Sequence, residues 1–154
     1  MSATLLPIME QTFRCPTPTS FKAVITAVRK LANSQATTVV GLTGEVGAGK
    51  TTFVQVLGAT LGVAGAITSP TFTLMQRYET TDAQWPTLIH MDAYRLESTA
   101  ELAPLEFATI LTTPGIIYIE WAEQIVAALP PTTIWLTFTI GERDERLVEL
   151  RTSR

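Results

Sequence analysis

The sequence predicts an α/β domain with a mixed, mainly parallel central sheet flanked by helices, and three observations predict it. An apolar, β-branched run from Thr37 to Leu42 meets a glycine-rich turn, and apolar residues at helical spacing follow. A second run, Ile116-Ile117-Tyr118-Ile119, has the character of a buried strand. Two hairpin-like pairs, one within Phe72–Asp92 and one near the C-terminus, argue for a mixed rather than an all-parallel sheet. No repeat, low-complexity segment or linker divides the chain, so residues 1–154 read as one domain.

Taken in order, Ile8 to Arg14 reads as a short strand that Pro16-Thr17-Pro18 breaks. Ser20 then caps a helix whose apolar face is Phe21, Val24, Ile25, Val28, Leu31 and Ala32. Asn33-Ser34-Gln35 ends that helix before the strand at Thr37. Beyond the glycines, Phe53, Val54, Val56, Leu57 and Leu61 carry a second helix to Gly62, a residue suited to a helix C-terminus. Ser69-Pro70-Thr71-Phe72 has surface-loop composition. Phe72 to Tyr78 and Thr87 to Asp92 then form antiparallel strands around the turn Thr80–Pro86. A helix is expected next, with Leu96, Leu102, Leu105 and Phe107 inward and Glu97, Glu101 and Glu106 outward, ending at Pro114-Gly115. The strand Ile116–Ile119, a short helix from Ala122 to Leu129 and two strands near Thr133–Ile140 and Arg146–Arg151 complete the chain, with Gly141–Asp144 as the last turn.

The glycine-rich turn carries the chemistry. Gly44-Glu45-Val46-Gly47-Ala48-Gly49-Lys50-Thr51-Thr52 fits G-x-x-x-x-G-K-[ST] and lies between a strand and a helix, where this motif cradles phosphate. Glycines let the backbone aim several N–H groups at one anion, and the helix opening at Lys50 adds its positive end. Lys50 can neutralise β- and γ-phosphates, and the Thr51 hydroxyl can bind a bridging Mg²⁺. All nine residues from Gly44 to Thr52 are therefore candidates for nucleotide binding, in a P-loop NTPase-like domain. Loss of Lys50 is expected to abolish ATP binding and leave the fold intact, because surface-loop substitutions seldom cost more than about 0.5 kcal/mol.

Composition narrows the class. The net charge is −3, from 11 basic and 14 acidic residues, and no basic stripe appears. High-affinity nucleic-acid binding by this chain alone is thereby disfavoured. Charged residues make up only 16%, and mean hydropathy is +0.25, a balance that leaves apolar surface for a partner. Cys15 is the single cysteine, which excludes an internal disulfide and a multi-cysteine zinc site. Neither a signal pattern nor a membrane-length apolar run is present, and a cytoplasmic location is expected. The lysines are Lys22, Lys30 and Lys50, and none has an aspartate two residues on, so the guanine-reading Lys-x-Asp pattern is missing and ATP is expected over GTP.

Hydrolysis also needs a carboxylate at the end of a neighbouring strand. Glu120 ends the fully apolar strand and Asp92 ends a less apolar one, so both are candidates for the metal and the attacking water. His90 reads as a hydrogen-bonded structural residue, Trp121 as core or as a wall of the nucleotide site, and Arg95 as a partner of carboxylate or phosphate.

Taken together, the glycine-rich motif, Ser69-Pro70-Thr71-Phe72, His90-Met91-Asp92-Ala93-Tyr94-Arg95-Leu96 and Glu120-Trp121, in this order, closely resemble the TsaE (YjeE) family. The resemblance runs from about Ser20 to the last strands. It implies an ATPase that acts with TsaB and TsaD to form N6-threonylcarbamoyladenosine beside the anticodon of tRNAs reading A-starting codons, with tRNA reached only through that complex. It also implies that Lys50 and Thr51 hold phosphate and Mg²⁺, that Glu120 joins the metal site and that Asp92 is the Walker-B-type acid. Thr71 would sit in a loop that senses the γ-phosphate. The family's base-approaching threonine near the first helix has no clean counterpart among Thr17, Thr19 and Ser20, and Ser20 is named for it. A small-molecule kinase and a nucleotide-gated binding module are the alternatives; for a kinase lid, Arg77 and Arg95 are too few. No water-positioning glutamine or arginine finger stands in a recognisable place, so weak turnover alone and stimulation by partners are expected.

Overall fold

The computed structural model describes residues 9–32, 37–68 and 74–152. Seven strands form one sheet: β1 (Glu10–Cys15), β2 (Thr38–Gly44), β3 (Met75–Glu79), β4 (Thr87–Asp92), β5 (Ile116–Glu120), β6 (Ile134–Ile140) and β7 (Arg146–Thr152). Their spatial order is β1-β7-β6-β2-β5-β4-β3. The neighbours β6, β2, β5 and β4 run parallel, while β3, β7 and β1 attach by antiparallel pairing. The sheet is mixed, as the two hairpin-like pairs require. "Mainly parallel" describes only its centre, because the antiparallel pairs at the edges are as many as the parallel ones.

Three helices have α geometry: α1 (Phe21–Leu31), α2 (Lys50–Leu61) and the single turn α3 (Phe107–Ile110). On one sheet face, Val40, Leu42, Tyr118, Leu136 and Phe138 pack against Val24 and Val28 of α1 and Phe53, Val54 and Leu57 of α2. Phe53 sits at the centre, with ring centroids 5.5 Å from Phe21, 5.5 Å from Phe138 and 5.4 Å from Tyr118. Contacts of this kind add about 0.5–1.5 kcal/mol each beyond the burial itself. They fix the first turn of α2 over the end of β2. On the other face Ile89, Met91, Ile117 and Ile119 are covered by Leu96, Leu102, Phe107 and Ile125.

α2 stops where its sequence says. Gly62 takes a left-handed φ of 78°, and the Val63 N–H closes on the Gly58 carbonyl at 2.9 Å. The helix expected after Asp92 does not form as one piece. Thr99–Leu105 is a 3₁₀ segment containing Pro104, and Glu106, at φ 53°, separates it from α3. Proline lacks the N–H that a continuous helix needs there. The apolar residues still point inward: Leu96, Leu102 and Phe107 are buried, Leu105 is half-buried, and the three glutamates are exposed. Ala122–Ala128 is likewise 3₁₀ rather than α. Among the described residues no helix is long and apolar enough to cross a membrane.

Candidate functional site

β2 delivers the glycine-rich loop to one end of the sheet. Gly44, at φ 135°, lies against β6 so closely that a Cβ there would collide with the Phe138 carbonyl oxygen. The loop leaves β2 beside its neighbour only because this position has no side chain. Gly49, at φ 105°, opens α2, and Lys50 is its first residue.

Lys50 is 5% exposed, a correction to its reading as a surface-loop residue. Its ammonium donates to the Gly44 carbonyl and lies 4.1 Å from the centre of the Trp121 ring. Among the described residues no carboxylate forms an ion pair with it. Its charge is held by a dipole and a ring, partners that leave it available to an anion.

The two strand-end acids meet because β4 and β5 are in register, with Asp92 opposite Glu120. Glu120 is buried at 4% exposure. The Thr51 hydroxyl donates to its Oε1 at 3.1 Å, and His90 Nε2 lies 2.7 Å from its Oε2. Asp92 Oδ1 accepts the Tyr94 N–H at 2.9 Å. Burial first, and then the neighbouring Glu120 charge, push the Asp92 carboxyl above its ordinary value.

These groups surround a cavity of about 510 Å³. Its walls include Val46, Gly47, Gly49, Lys50, Thr51 and Thr52 from the loop and α2, and Asp92, Glu120 and Trp121 from the ends of β4 and β5. Of the other loop candidates, Gly44 ends β2, Glu45 is exposed and Ala48 is buried behind the loop. Trp121 is a wall of the site, with a left-handed φ of 58° that turns the chain at the end of β5. Ser20 does not line the cavity. Its hydroxyl lies 3.1 Å from that of Thr17, and Thr17 is the lining residue. Arg95 is exposed and away from the walls, and Thr71 lies outside the described residues.

The remaining wall comes from Cys15, Pro16, Pro18 and Phe21 and, facing them, Asp144 and Arg146. Arg146 donates to the Gly47 carbonyl at 3.2 Å and to Asp144 Oδ1 at 3.1 Å. No local pattern marks this arginine; the pairing of β2 with β6 and of β6 with β7, Ile140 opposite Arg146, brings it to the loop. The arrangement offers backbone N–H groups, Lys50, Arg146, the strand-end acids Asp92 and Glu120 and the Thr51 hydroxyl bonded to Glu120, a set suited to a polyphosphate and a hard cation.

Residues 18–148 match the family model for "Threonylcarbamoyl adenosine biosynthesis protein TsaE". A tRNA threonylcarbamoyladenosine biosynthesis protein TsaE from Nostoc sp. is 41% identical over 115 residues, covering 73% of this chain and 68% of that protein. Its counterpart from Bacillus subtilis is 36% identical over 108 residues, 70% of this chain and 65% of that protein. The crystal structure of Bacillus subtilis YdiB superposes with a TM-score of 0.72 at 26% identity, over 96% of this chain and 88% of that one. The chain belongs to the TsaE family, whose members take part in forming threonylcarbamoyladenosine in tRNA.

Proposed function

We propose that this chain is a P-loop protein that binds Mg-ATP in the cavity above β2, β4 and β5 and hydrolyses it. In this reading it is the nucleotide-dependent component, beside TsaB and TsaD, of the machinery that forms N6-threonylcarbamoyladenosine in tRNA. The observation that carries the reading is the meeting of Lys50, Thr51, Asp92 and Glu120 at one cavity, beside the opening of α2.

Each residue has a task that its position suits. The loop N–H groups and the α2 N-terminus hold the phosphates, and Lys50 moves from the Gly44 carbonyl to them. Thr51, Glu120 and Asp92 present hydroxyl and carboxylate oxygens, the donors that Mg²⁺ prefers, and would hold that ion. Bound there, Mg²⁺ would neutralise charge on the phosphate oxygens. Asp92, at the end of β4, would also help to orient the attacking water. Trp121 and the Cys15–Pro18 wall keep bulk water from the phosphate chain.

Phosphate release should be followed for this chain alone and then with TsaB and TsaD added, alongside calorimetric binding of ATP. Tight ATP binding, slow turnover alone and faster turnover with the pair is the expected result. Full-speed turnover without any response to the pair would reopen the case for an independent enzyme. Pair binding that persists undiminished in a hydrolysis-dead variant would favour the nucleotide-gated module.

A further inference from the structure

We propose that His90 is a positioning residue that holds the Glu120 carboxylate in the orientation in which this acid, with Thr51, receives the divalent cation of a bound nucleotide. The inference rests on the nucleotide-site reading above and adds to it a residue that lies outside the cavity wall.

His90 is in β4, two residues below Asp92, and is 0% exposed. From there its Nε2 meets Glu120 Oε2 at 2.7 Å, while Thr51 Oγ1 meets Oε1 at 3.1 Å. One carboxylate is gripped at both oxygens, from the sheet on one side and from α2 on the other. A free glutamate side chain has several rotatable bonds, and a cation that met it unordered would have to order it on binding. Here that ordering is already done.

The other ring nitrogen argues that this grip is what the residue is for. An ionised carboxylate can only accept, so the hydrogen shared by the two side chains sits on Nε2. Nδ1 is buried and has no hydrogen-bond partner among the described residues. A polar atom left so is costly, and a residue present only to fill space would avoid it. The bond to Glu120 is what sets against that cost. His90 also stands opposite Tyr118 in the β4–β5 register, one pleat period from the Asp92–Glu120 pair, so the sheet fixes the ring as firmly as it fixes the acids.

The test is calorimetric titration of the full chain with ADP, in EDTA and over a range of Mg²⁺, for the parent, His90→Gln and His90→Leu. The glutamine amide nitrogen reaches the place of Nε2 and donates there, whereas leucine fills the volume with no donor. Expected is equal ADP affinity for all three in EDTA. The Mg²⁺ needed for half of its effect should rise about 10- to 100-fold in His90→Leu, the usual loss when an outer partner of a metal ligand is removed. His90→Gln should recover most of it. If melting shows that the leucine variant is unfolded, His90→Asn, too short to reach Oε2, takes its place in the comparison. A leucine or asparagine variant with the parent's Mg²⁺ requirement overturns the proposal, as does a glutamine variant as defective as the leucine one. A parent that binds ADP without any Mg²⁺ dependence overturns the proposal alone, whereas a parent that does not bind ADP removes the nucleotide-site reading with it, so the parent's own behaviour distinguishes the two failures.

Discussion

Lys50→Ala removes a side chain on which the fold and the proposed nucleotide site both draw. In the fold, the lost bond to the Gly44 carbonyl is charge-assisted, a kind that contributes about 1.5–3 kcal/mol. The contact with the Trp121 ring adds about 0.5–2 kcal/mol. Relief of the burial of that ammonium, at 5% exposure, offsets only part of this loss. We expect a net loss of about 1–3 kcal/mol and, at about 2–4 °C per kcal/mol for a domain of this size, a melting point lower by about 5 °C. In the site, losing one charged contact to phosphate should weaken ATP binding by about a hundredfold. Scanning calorimetry and ATP titration at 15 °C, well below the transition, separate the two effects. Near-normal ATP affinity in the folded variant would refute the phosphate assignment. An unchanged melting point would refute the account of Lys50 as a buried, bonded residue.

Glu120→Gln and Asp92→Asn should each lower the hydrolysis rate by at least about tenfold while changing ATP affinity far less, because backbone amides hold the ground-state phosphates. An unchanged rate removes that acid from the site. Asp92→Asn should also raise the melting point of the nucleotide-free chain at pH 7. The native carboxyl holds its proton more tightly than the unfolded one, so its contribution to stability falls as pH rises from about 4, the unfolded value, through the raised native value. The gain in the asparagine variant should therefore vanish below about pH 4, and a constant difference across that range would contradict the burial of Asp92 as its cause. Gly44→Ala should lower stability by about 3 kcal/mol or more, combining backbone strain at φ 135° with the collision against β6; denaturant titration with a parent-like midpoint would count against that close approach.

Much of this protein can be read locally. The β-branched run, the glycines and the helical spacing after them are contiguous, so the loop between β2 and α2 follows from neighbouring residues alone. The same holds for the β3–β4 hairpin and for the stop at Gly62. Asp92 and Glu120 were also legible, because an acid at the end of an apolar run needs no partner to be noticed. Apart from the effect of Pro104, what escaped depends on residues far apart in the chain. Pro104 outweighs the apolar spacing of Leu96, Leu102 and Phe107, which 3₁₀ turns satisfy equally well. The bond from His90 to Glu120 spans 30 positions and exists only through the β4–β5 register. Arg146 reaches Gly47 across 99 positions. Lys50 looked exposed because a loop motif does not reveal that Trp121 and the loop itself close over it.

β1 has a single neighbour in the sheet, β7, and the two meet with Cys15 opposite Arg146 at the cavity wall. The second strand in space is thus the last in sequence. While the chain is being made, β1 must wait for β7 before it has a strand to pair with. β2, α2, β4 and β5 can assemble earlier, so the phosphate cradle can form before the wall that faces it. During synthesis a growing chain would then hold an open cradle, and the arrival of β7 would close the compartment. A nick or truncation in β7 would return the finished protein to that open state, stripping two strands from one edge while leaving every residue of the glycine-rich motif in place.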